Sequence, residues 1–251
     1  MSRTILITGG SRGLGKNMAL SAAAQGNDVI ITYHTKKEEA ENVVSEIGKL
    51  GQKALSLRLD VYDTSSIGDF AGQVKAYLRS NAPAGRLHAL VNNAGIGYYQ
   101  PISSITEDTL DNLYNMHFKS VFLLAKEFSQ VIEQGGTIIN VSSGYSRFSA
   151  AGFSVYGAMK GAIDTLTRFQ ALEFAPLKIR VNSIAPGAIE TDFAGGIVRD
   201  NVEINNYVAT QTALGRAGQP DDIGSVVAFL ISDAAKWING QRIEVSGGIY
   251  L

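Results

Sequence analysis

A tyrosine and a lysine four residues apart are the side chains in this sequence best suited to transfer a proton. Tyr156 and Lys160 lie in Ser-Val-Tyr-Gly-Ala-Met-Lys, and Ser143 precedes them in Asn-Val-Ser-Ser. Residues with this spacing share one face of a helix, and a neighbouring ammonium group favours the ionised form of a phenol. We therefore expect Tyr156 to act as a general acid near neutral pH, with Lys160 lowering its pKa.

The same Tyr-x-x-x-Lys spacing occurs at Tyr33 and Lys37, so the spacing alone does not identify a site. Tyr33 ends the apolar run Val-Ile-Ile-Thr-Tyr, which is typical of a buried strand. Tyr156 instead opens a helix with an apolar stripe, and Ser143 follows another apolar run. These residues alone leave both a catalytic and a purely structural role open.

A glycine-rich segment follows the first apolar run of the chain. Residues 3–8 predict a strand, and Gly-Gly-Ser-Arg-Gly-Leu-Gly at 9–15 leads directly into a predicted helix. Glycines in such a turn let the backbone approach a pyrophosphate, which the free N–H groups of the helix start can bind. The spacing Gly-x-x-x-Gly-x-Gly departs from the usual dinucleotide fingerprint, and a tight turn without a ligand is the alternative.

Together with Asn-Asn-Ala-Gly at 92–95 and Pro-Gly-Ala-Ile-Glu-Thr at 186–191, these motifs resemble the short-chain dehydrogenase/reductase family over residues 4–248. The resemblance implies an oxidoreductase that interconverts a ketone and a secondary alcohol. In that reaction Ser143 and Tyr156 bind the carbonyl oxygen, and Lys160 holds the nicotinamide ribose. The implied cofactor residues are Gly9, Ser11, Arg12, Gly13, Leu14, Gly15, His34, Asp60, Val61, Asn92, Ala94, Gly95, Tyr156, Lys160, Pro186, Gly187, Ile189 and Thr191.

The end of the second predicted strand indicates which nicotinamide cofactor is used. An NAD site usually has Asp or Glu there to bind the ribose 2′-hydroxyl, whereas this chain has Tyr-His-Thr-Lys-Lys at 33–37. Arg12 and His34, with Lys36 or Lys37, can instead pair with the 2′-phosphate of NADP. The alternative for the two lysines is the solvated start of a helix. We expect NADP(H) to be preferred over NAD(H).

Strand and helix patterns alternate along all 251 residues. Apolar runs predict strands near 3–8, 28–33, 53–59, 87–92, 136–142, 178–184 and 241–245. Such alternation predicts a parallel sheet covered by helices on both faces. We therefore expect an α/β fold, a single Rossmann-type domain over residues 1–251 with a doubly wound seven-stranded sheet of order 3-2-1-4-5-6-7.

Composition argues against several other classes of protein. The net charge is −1 and the 22 basic residues are dispersed, so neither nucleic acid nor an anionic membrane is an expected partner. We see no membrane-length apolar run and no signal-peptide pattern, and expect a cytoplasmic protein. With no Cys, and with His34, His88 and His117 scattered, we expect no metal site.

The substrate is expected to be a small carbonyl or alcohol compound. The chain most closely resembles 3-oxoacyl-carrier-protein reductases, which grip an acidic carrier with basic residues, but here the matching positions hold Glu133, Gln134 and Leu172. Residues 144–153 and a mobile lid at about 193–211, hinged at Gly-Gly 195–196, should wall the pocket, with Tyr98 and Tyr99 at its rim. These walls suggest an apolar or aromatic-tolerant ketone.

Other functions and an assembly also follow from the resemblance. A non-catalytic NADP-binding regulatory protein, an epimerase and a dehydratase share the fold, but retention of Ser143, Tyr156 and Lys160 favours catalysis. The family implies a homotetramer, with helices near 106–133 and 155–174 pairing between subunits. Apolar residues in both segments agree with such pairing, although core packing explains them equally well.

His117 stands where the family usually has a catalytic asparagine that anchors a water leading from Lys160 to solvent. Asn115 lies two residues earlier, on a different helical face. One interpretation is a neutral imidazole that only fills space. The other is that His117 replaces the asparagine in a proton relay, because an imidazole donates, accepts and titrates near neutral pH.

Overall fold

The computed structural model describes residues 2–82 and 85–251, which are built around a seven-stranded sheet. The strands are β1 (Thr4–Ile7), β2 (Asp28–Tyr33), β3 (Ala54–Arg58), β4 (Leu87–Asn92), β5 (Ile132–Val141), β6 (Arg180–Pro186) and β7 (Arg242–Val245). They are ordered β3-β2-β1-β4-β5-β6-β7, and every neighbouring pair is parallel. The predicted doubly wound sheet and its strand order are confirmed.

Helices cover both faces of this sheet. They are α1 (Gly13–Ala24), α2 (Lys37–Lys49), α3 (Ile67–Asn81), α4 (Glu107–Tyr114), α5 (Ser120–Ser129), α6 (Ser154–Glu173), α7 (Ile197–Asp200), α8 (Val202–Gln211) and α9 (Pro220–Ile231). Successive strand side chains point to opposite faces: Ile5 and Ile7 pack in a core with α1, α2 and α9, whereas Leu6 packs with α3 and α5. No helix in the described ranges is long and apolar enough to cross a membrane.

The motifs that the sequence analysis selected lie at the carboxyl edge of the sheet. β1 runs into the glycine-rich turn and β4 into the Asn-Asn-Ala-Gly segment, while β5 ends two residues before Ser143 and β6 ends at Pro186. Ligands of open α/β sheets bind at this edge, where the direction of chain winding reverses. The fold therefore gathers these segments from distant parts of the chain.

β5 begins four residues earlier than the sequence predicts, at Ile132 instead of 136. Ile132 pairs with Leu87, and the register then shifts before Ala89. Gly135, with a φ of 86°, is among the three extra residues that β5 inserts at this shift, as in the larger β-bulges. The bulge lies at the amino end of the strand and leaves the position of Ser143 unaffected.

Candidate active site

Ser143, Tyr156 and Lys160 come together beyond the carboxyl end of β5. Ser143 has an extended backbone, and its hydroxyl accepts a hydrogen bond from the Tyr145 N–H at 3.3 Å. Tyr156 and Lys160 occupy the buried face of the first turns of α6 and are only 6% and 5% exposed. The Lys160 Nζ lies 5.5 Å from the centroid of the Tyr156 ring. The one-face arrangement inferred from the spacing is present in the structure.

Lys160 is a buried cation held by the end of β5. Its Nζ donates a hydrogen bond to the Val141 carbonyl at 2.8 Å. Loss of hydration on burial lowers the pKa of Lys160 to about 8, and the nearby Asp164 carboxylate opposes this shift. Lys160 therefore remains mostly charged at neutral pH but gives up its proton far more readily than an exposed lysine.

The Tyr156 phenol is harder to ionise than the sequence suggested. Burial raises the pKa of Tyr156 to about 12, and a hydrogen bond with the Ser143 side chain offsets only part of this effect. The Lys160 ammonium is directed at the Val141 carbonyl, and burial outweighs its charge. The expectation of a net lowering of the Tyr156 pKa is therefore wrong, because burial raises it. The phenol instead stays protonated, and so available as an acid, throughout the physiological pH range.

His117 lies in a π-helical segment, Asn115–Lys119, which joins α4 to α5. The wide turn buries His117, which is 1% exposed, and leaves Asn115 partly exposed. The imidazole packs edge-on against the Tyr156 ring, with centroids 5.2 Å apart. It occupies the space that a Cβ at Gly95 would need, since such an atom would lie 2.8 Å from the imidazole Cε1. π-Helical turns are rare in proteins, and those that occur are often found at functional sites.

His117 does not titrate near neutral pH. Burial, with a further contribution from the Lys160 charge, lowers the pKa of His117 to about 2, and a backbone group of Ile96 opposes these effects. Neither ring nitrogen has a hydrogen-bond partner of good geometry within the described residues. The expectation of a titrating imidazole is therefore wrong. Any contribution of His117 comes from a neutral ring.

The glycine-rich turn fits the phosphates of a dinucleotide. Gly9 and Gly13 have φ values of 67° and 54°, and a Cβ at Gly15 would overlap the Gly9 carbonyl oxygen. α1 begins without a side-chain cap at Arg12 and without an acidic residue in its first turn, so its first N–H groups are available to an anion. The predicted residues Gly9, Ser11, Arg12, Gly13, Leu14 and Gly15 all belong to this turn.

The ends of β2 and β3 lie side by side next to this turn. His34 Nε2 lies 3.2 Å from an Asp60 carboxylate oxygen, and Val61 is buried behind them. Arg58, which the sequence analysis missed, donates from Nε to the His34 carbonyl at 3.3 Å. The parallel register places Arg58 opposite the last residue of β2, so aligning the ends of the predicted strands would have revealed it.

Lys36 and Lys37 are engaged with their own helix. Lys36 pairs with Glu39 and Lys37 with Glu41, each at 3.5 Å. Both lysines lie at the start of α2 and are more than half exposed. This geometry favours the solvated helix start over a phosphate contact for these two lysines. Arg12 in the glycine-rich turn is also more than half exposed and has one distant carboxylate partner, 3.7 Å away.

The loop after β6 packs against the glycine-rich turn. A Cβ at Gly187 would lie 2.8 Å from the Ser246 Cα, so this backbone passes very close to the loop after β7. Thr191 is buried, and its hydroxyl accepts a hydrogen bond from the Phe193 N–H at 3.2 Å. A Cβ at Gly13 would lie 3.7 Å from the Thr191 Cβ. The predicted residues Pro186, Gly187, Ile189 and Thr191 all belong to this loop and its start.

Asn92 holds strands together instead of facing the crevice. Its side-chain amide donates to the Asn140 side-chain oxygen at 2.9 Å, and Asn92 is 4% exposed. The adjacent Asn93 side chain donates to the Thr8 carbonyl at 2.8 Å, and the Ala94 N–H donates to the Thr8 hydroxyl at 2.9 Å. These bonds favour a structural role for both asparagines over the cofactor contact that the resemblance implies for Asn92.

Both expected pocket walls reach Tyr156. The Tyr145 ring, from the segment after Ser143, has its centroid 6.3 Å from that of Tyr156. Phe193, at the start of the expected lid, lies 6.2 Å from the same ring. Tyr99 is strongly exposed at the rim, whereas the Tyr98 hydroxyl is bonded to a neighbouring glutamine.

A largely buried ion network behind Ser143 was not predicted. Arg242 donates to the Ser143 carbonyl at 3.2 Å, to Asp164 at 3.0 Å and to Glu244 at 3.0 Å. Asp164 follows Lys160 by one turn of α6, a spacing that hinted at their interaction. No sequence pattern pointed to Arg242, because 78 residues separate it from Asp164.

Comparisons with known proteins agree with this arrangement. A family model described as Enoyl-(Acyl carrier protein) reductase matches residues 9–250. The chain is 37% identical over 254 residues to the 3-oxoacyl-(acyl-carrier-protein) reductase FabG of Staphylococcus aureus, covering 100% of this chain and 99% of FabG. It is 33% identical over 258 residues to versicolorin reductase stcU of Emericella nidulans, covering 99% of this chain and 96% of that protein. A short chain dehydrogenase from Burkholderia cenocepacia, solved in complex with NADP, is similar with a TM-score of 0.89 at 31% identity over 98% of this chain and 97% of that one.

Proposed function

Because the chain belongs to the short-chain dehydrogenase/reductase family, we propose that it is an NADPH-dependent reductase of small-molecule ketones with Tyr156 as its acid. The chain is an oxidoreductase acting on carbonyl or alcohol groups, as are the named reductases that match its whole length. One observation carries the finer proposal: Ser143, Tyr156 and Lys160 converge beside a turn that fits a dinucleotide.

Two hydroxyl groups are available to one carbonyl oxygen. The Ser143 side chain is close enough to the Tyr156 phenol to lower its pKa in part, so the two oxygens face the same site. A carbonyl oxygen that accepts a hydrogen bond from each has two donors aimed at the negative charge it gains as its carbon accepts a hydride. When bound, the nicotinamide cofactor supplies that hydride. The Tyr156 proton then passes to the oxygen, which leaves a secondary alcohol and a phenolate.

Lys160 and His117 serve the return of a proton to Tyr156. A nearby ammonium stabilises a phenolate, and the Lys160 Nζ lies 5.5 Å from the centroid of the Tyr156 ring, so the Lys160 charge favours the intermediate state. The lowered pKa of Lys160, about 8, also makes this ammonium a better proton donor than an exposed lysine. His117 anchors the relay as a neutral ring, because each of its nitrogens can hydrogen-bond without any change of charge.

Preference for NADPH is supported by the groups around the end of β2. No carboxylate follows the strand to bind a ribose 2′-hydroxyl. Arg58 and His34 meet there instead, Arg12 lies in the glycine-rich turn, and guanidinium groups bind phosphate with paired hydrogen bonds. The complex of the Burkholderia relative with NADP is consistent with this preference.

A thioester on a carrier protein is the competing substrate, since FabG is named for one. Docking of an acidic carrier calls for positive charge near the pocket, but the matching positions hold Glu133, Gln134 and Leu172. Glu133 is paired with His88 at 2.6 Å, and Leu172 is 75% exposed. A free small-molecule ketone is therefore the better-supported substrate.

The proposal includes a cytoplasmic homotetramer with a lid over its active site. The α4–α5 and α6 surfaces carry exposed apolar side chains, which are Leu110, Tyr114, Phe122, Phe169 and Leu172, and pairing between subunits would remove them from water. At the start of the lid, Ala194, Gly195 and Gly196 have consecutive φ values of 52°, 75° and 79°. Such a left-handed run supports a hinge there.

The proposal is tested by following NADPH absorbance with a panel of ketones and comparing Tyr156→Phe with Tyr33→Phe, the tyrosine that shares the Tyr-x-x-x-Lys spacing. Loss of the general acid should lower kcat by about a thousandfold, with NADPH affinity by fluorescence within about twofold of the parent. Tyr33→Phe should retain full activity. A Tyr156→Phe variant within tenfold of the parent, or a parent with equal kcat/KM for NADH and NADPH, would refute the corresponding assignment.

A further inference from the structure

Aromatic rings form two surfaces on either side of the Tyr156 phenol. Tyr145 stacks on Phe153, with centroids 4.6 Å apart and an interplanar angle of 17°. Tyr99 extends this row, edge-on to Phe153 at 5.6 Å. We call Tyr99, Phe153 and Tyr145 the ring wall. Phe193, which approaches Tyr156 from the lid segment, is the lid ring.

Two of these rings pack directly against the backbone at glycine residues. A Cβ at Gly152 would overlap the Tyr99 ring, and a Cβ at Gly97 would lie 2.6 Å from the Phe193 Cε1. Any larger residue at either position would push the ring from its place. The seated rings nevertheless face solvent, since Tyr99 is 67% and Phe193 is 46% exposed. Exposed apolar surface concentrated beside a reacting group is a feature of ligand sites.

Charged side chains near these surfaces are neutralised by the protein itself. Arg147, from the segment that supplies Tyr145 and Phe153, lies 3.2 Å from a Glu244 carboxylate oxygen and donates to the Ile249 carbonyl at 3.1 Å. Arg199, near the lid ring in sequence, pairs with Asp192 and Asp200. Neither arginine is left to bind an anionic substrate group. The two surfaces are thus suited to an uncharged ligand.

We propose that the substrate is a fused-ring aromatic ketone, held between the ring wall and the lid ring with its carbonyl at the Tyr156 hydroxyl. This inference rests on the proposed reductase function and names its substrate class. Aromatic partners interact with offset-stacked and edge-on geometry at ring separations of 4.5–7 Å, the range of the contacts within the wall itself. A saturated bicyclic ketone buries similar area but lacks these ring–ring interactions and is too thick to stack.

The test compares 2-tetralone with trans-2-decalone, which have the same bicyclic carbon skeleton and differ in aromaticity. With NADPH, we expect kcat/KM to be about tenfold higher for the tetralone, from two aromatic contacts. Phe153→Leu and Phe193→Leu should each bring the two ketones to within about twofold, mainly through KM for the tetralone. Phe229→Leu, an exposed phenylalanine of α9, is the matched control and should keep the parent's ratio.

Equal kcat/KM for both ketones would overturn the aromatic assignment and leave the reductase proposal standing. If neither ketone is turned over, the reductase proposal loses support. The inference of an aromatic ligand is then tested by ligand binding to the NADP-saturated protein. By calorimetry, 2-naphthol should then bind about tenfold more tightly than decahydro-2-naphthol. Equal binding of the two, or no binding of 2-naphthol, would overturn the inference.

Discussion

Replacing Lys160 with methionine should stabilise the fold while it abolishes activity. The pKa of Lys160 falls from 10.5 to about 8 because burial removes water from the ammonium. At neutral pH this pKa difference lowers the free energy of unfolding of the parent by about 3 kcal/mol. The substitution also leaves the Val141 carbonyl without its donor, which costs about 1 kcal/mol. The expected net gain in the free energy of unfolding is about 2 kcal/mol.

The variant's gain in the free energy of unfolding should become smaller as the pH rises. Because the pKa of Lys160 is lower in the folded chain, the unfolded chain binds more protons between about pH 8 and pH 10.5, and the parent becomes more stable as pH rises through that window. From about pH 7 to about pH 9.5 the parent should gain roughly 2 kcal/mol from this residue. The variant lacks the contribution, so its advantage should nearly vanish at the higher pH.

Urea unfolding at both pH values and one protein concentration measures these quantities. Lys126→Met is the matched control, because Lys126 is an exposed helical lysine and its loss should leave the pH dependence of the parent unchanged. A Lys160→Met variant less stable than the parent at pH 7, or an advantage that persists at pH 9.5, would refute the reasoning. Either result would mean that the buried ammonium is not destabilising.

Three further substitutions test other contacts in and around the site. Arg242→Met should lower the free energy of unfolding by about 3 kcal/mol, because it leaves Asp164 buried without its cation; urea unfolding measures this, and addition of Asp164→Asn should restore part of it. His117→Asn should keep most activity, while His117→Ala should lower kcat more than it raises KM; an alanine variant identical to the parent at pH 6, 7 and 8 would exclude a relay. Gly15→Ala should weaken NADPH binding at least tenfold, since its Cβ would collide with Gly9; unchanged fluorescence titration would contradict this.

The fold could be predicted because each strand is marked locally. Runs such as Val-Ile-Ile at 29–31 are buried on both faces, so they read as continuous apolar segments between helical patterns. The handedness of the crossovers then allows few strand orders. The early start of β5 was missed because Gly135 and Gly136 read as a break in the strand, whereas in the structure they form a bulge within it.

The sequence indicates which side chains converge beyond β5, but not the electrostatic environment that they share. The spacing of Tyr156 and Lys160 fixes their common helix face, which the structure contains. Spacing does not reveal how completely the helix is buried against β5, and burial decides the direction of every pKa shift in the site. For the same reason, the sequence suggested that His117 titrates near neutral pH, whereas its burial prevents this. Arg58 and Arg242 escaped notice because strand pairing alone brings them to the site.

The pKa values place the two central groups in an order opposite to that of the free side chains. A free tyrosine is a slightly stronger acid than a free lysine, but here Lys160 has a pKa of about 8 and Tyr156 of about 12. A phenolate left after reduction is therefore a strong enough base to take a proton from the Lys160 ammonium. Lys160 can recover its proton from solvent at neutral pH, because its pKa lies above 7. In the proposed reduction, burial of one helix face thus favours proton transfer from solvent through Lys160 to Tyr156 and the substrate oxygen.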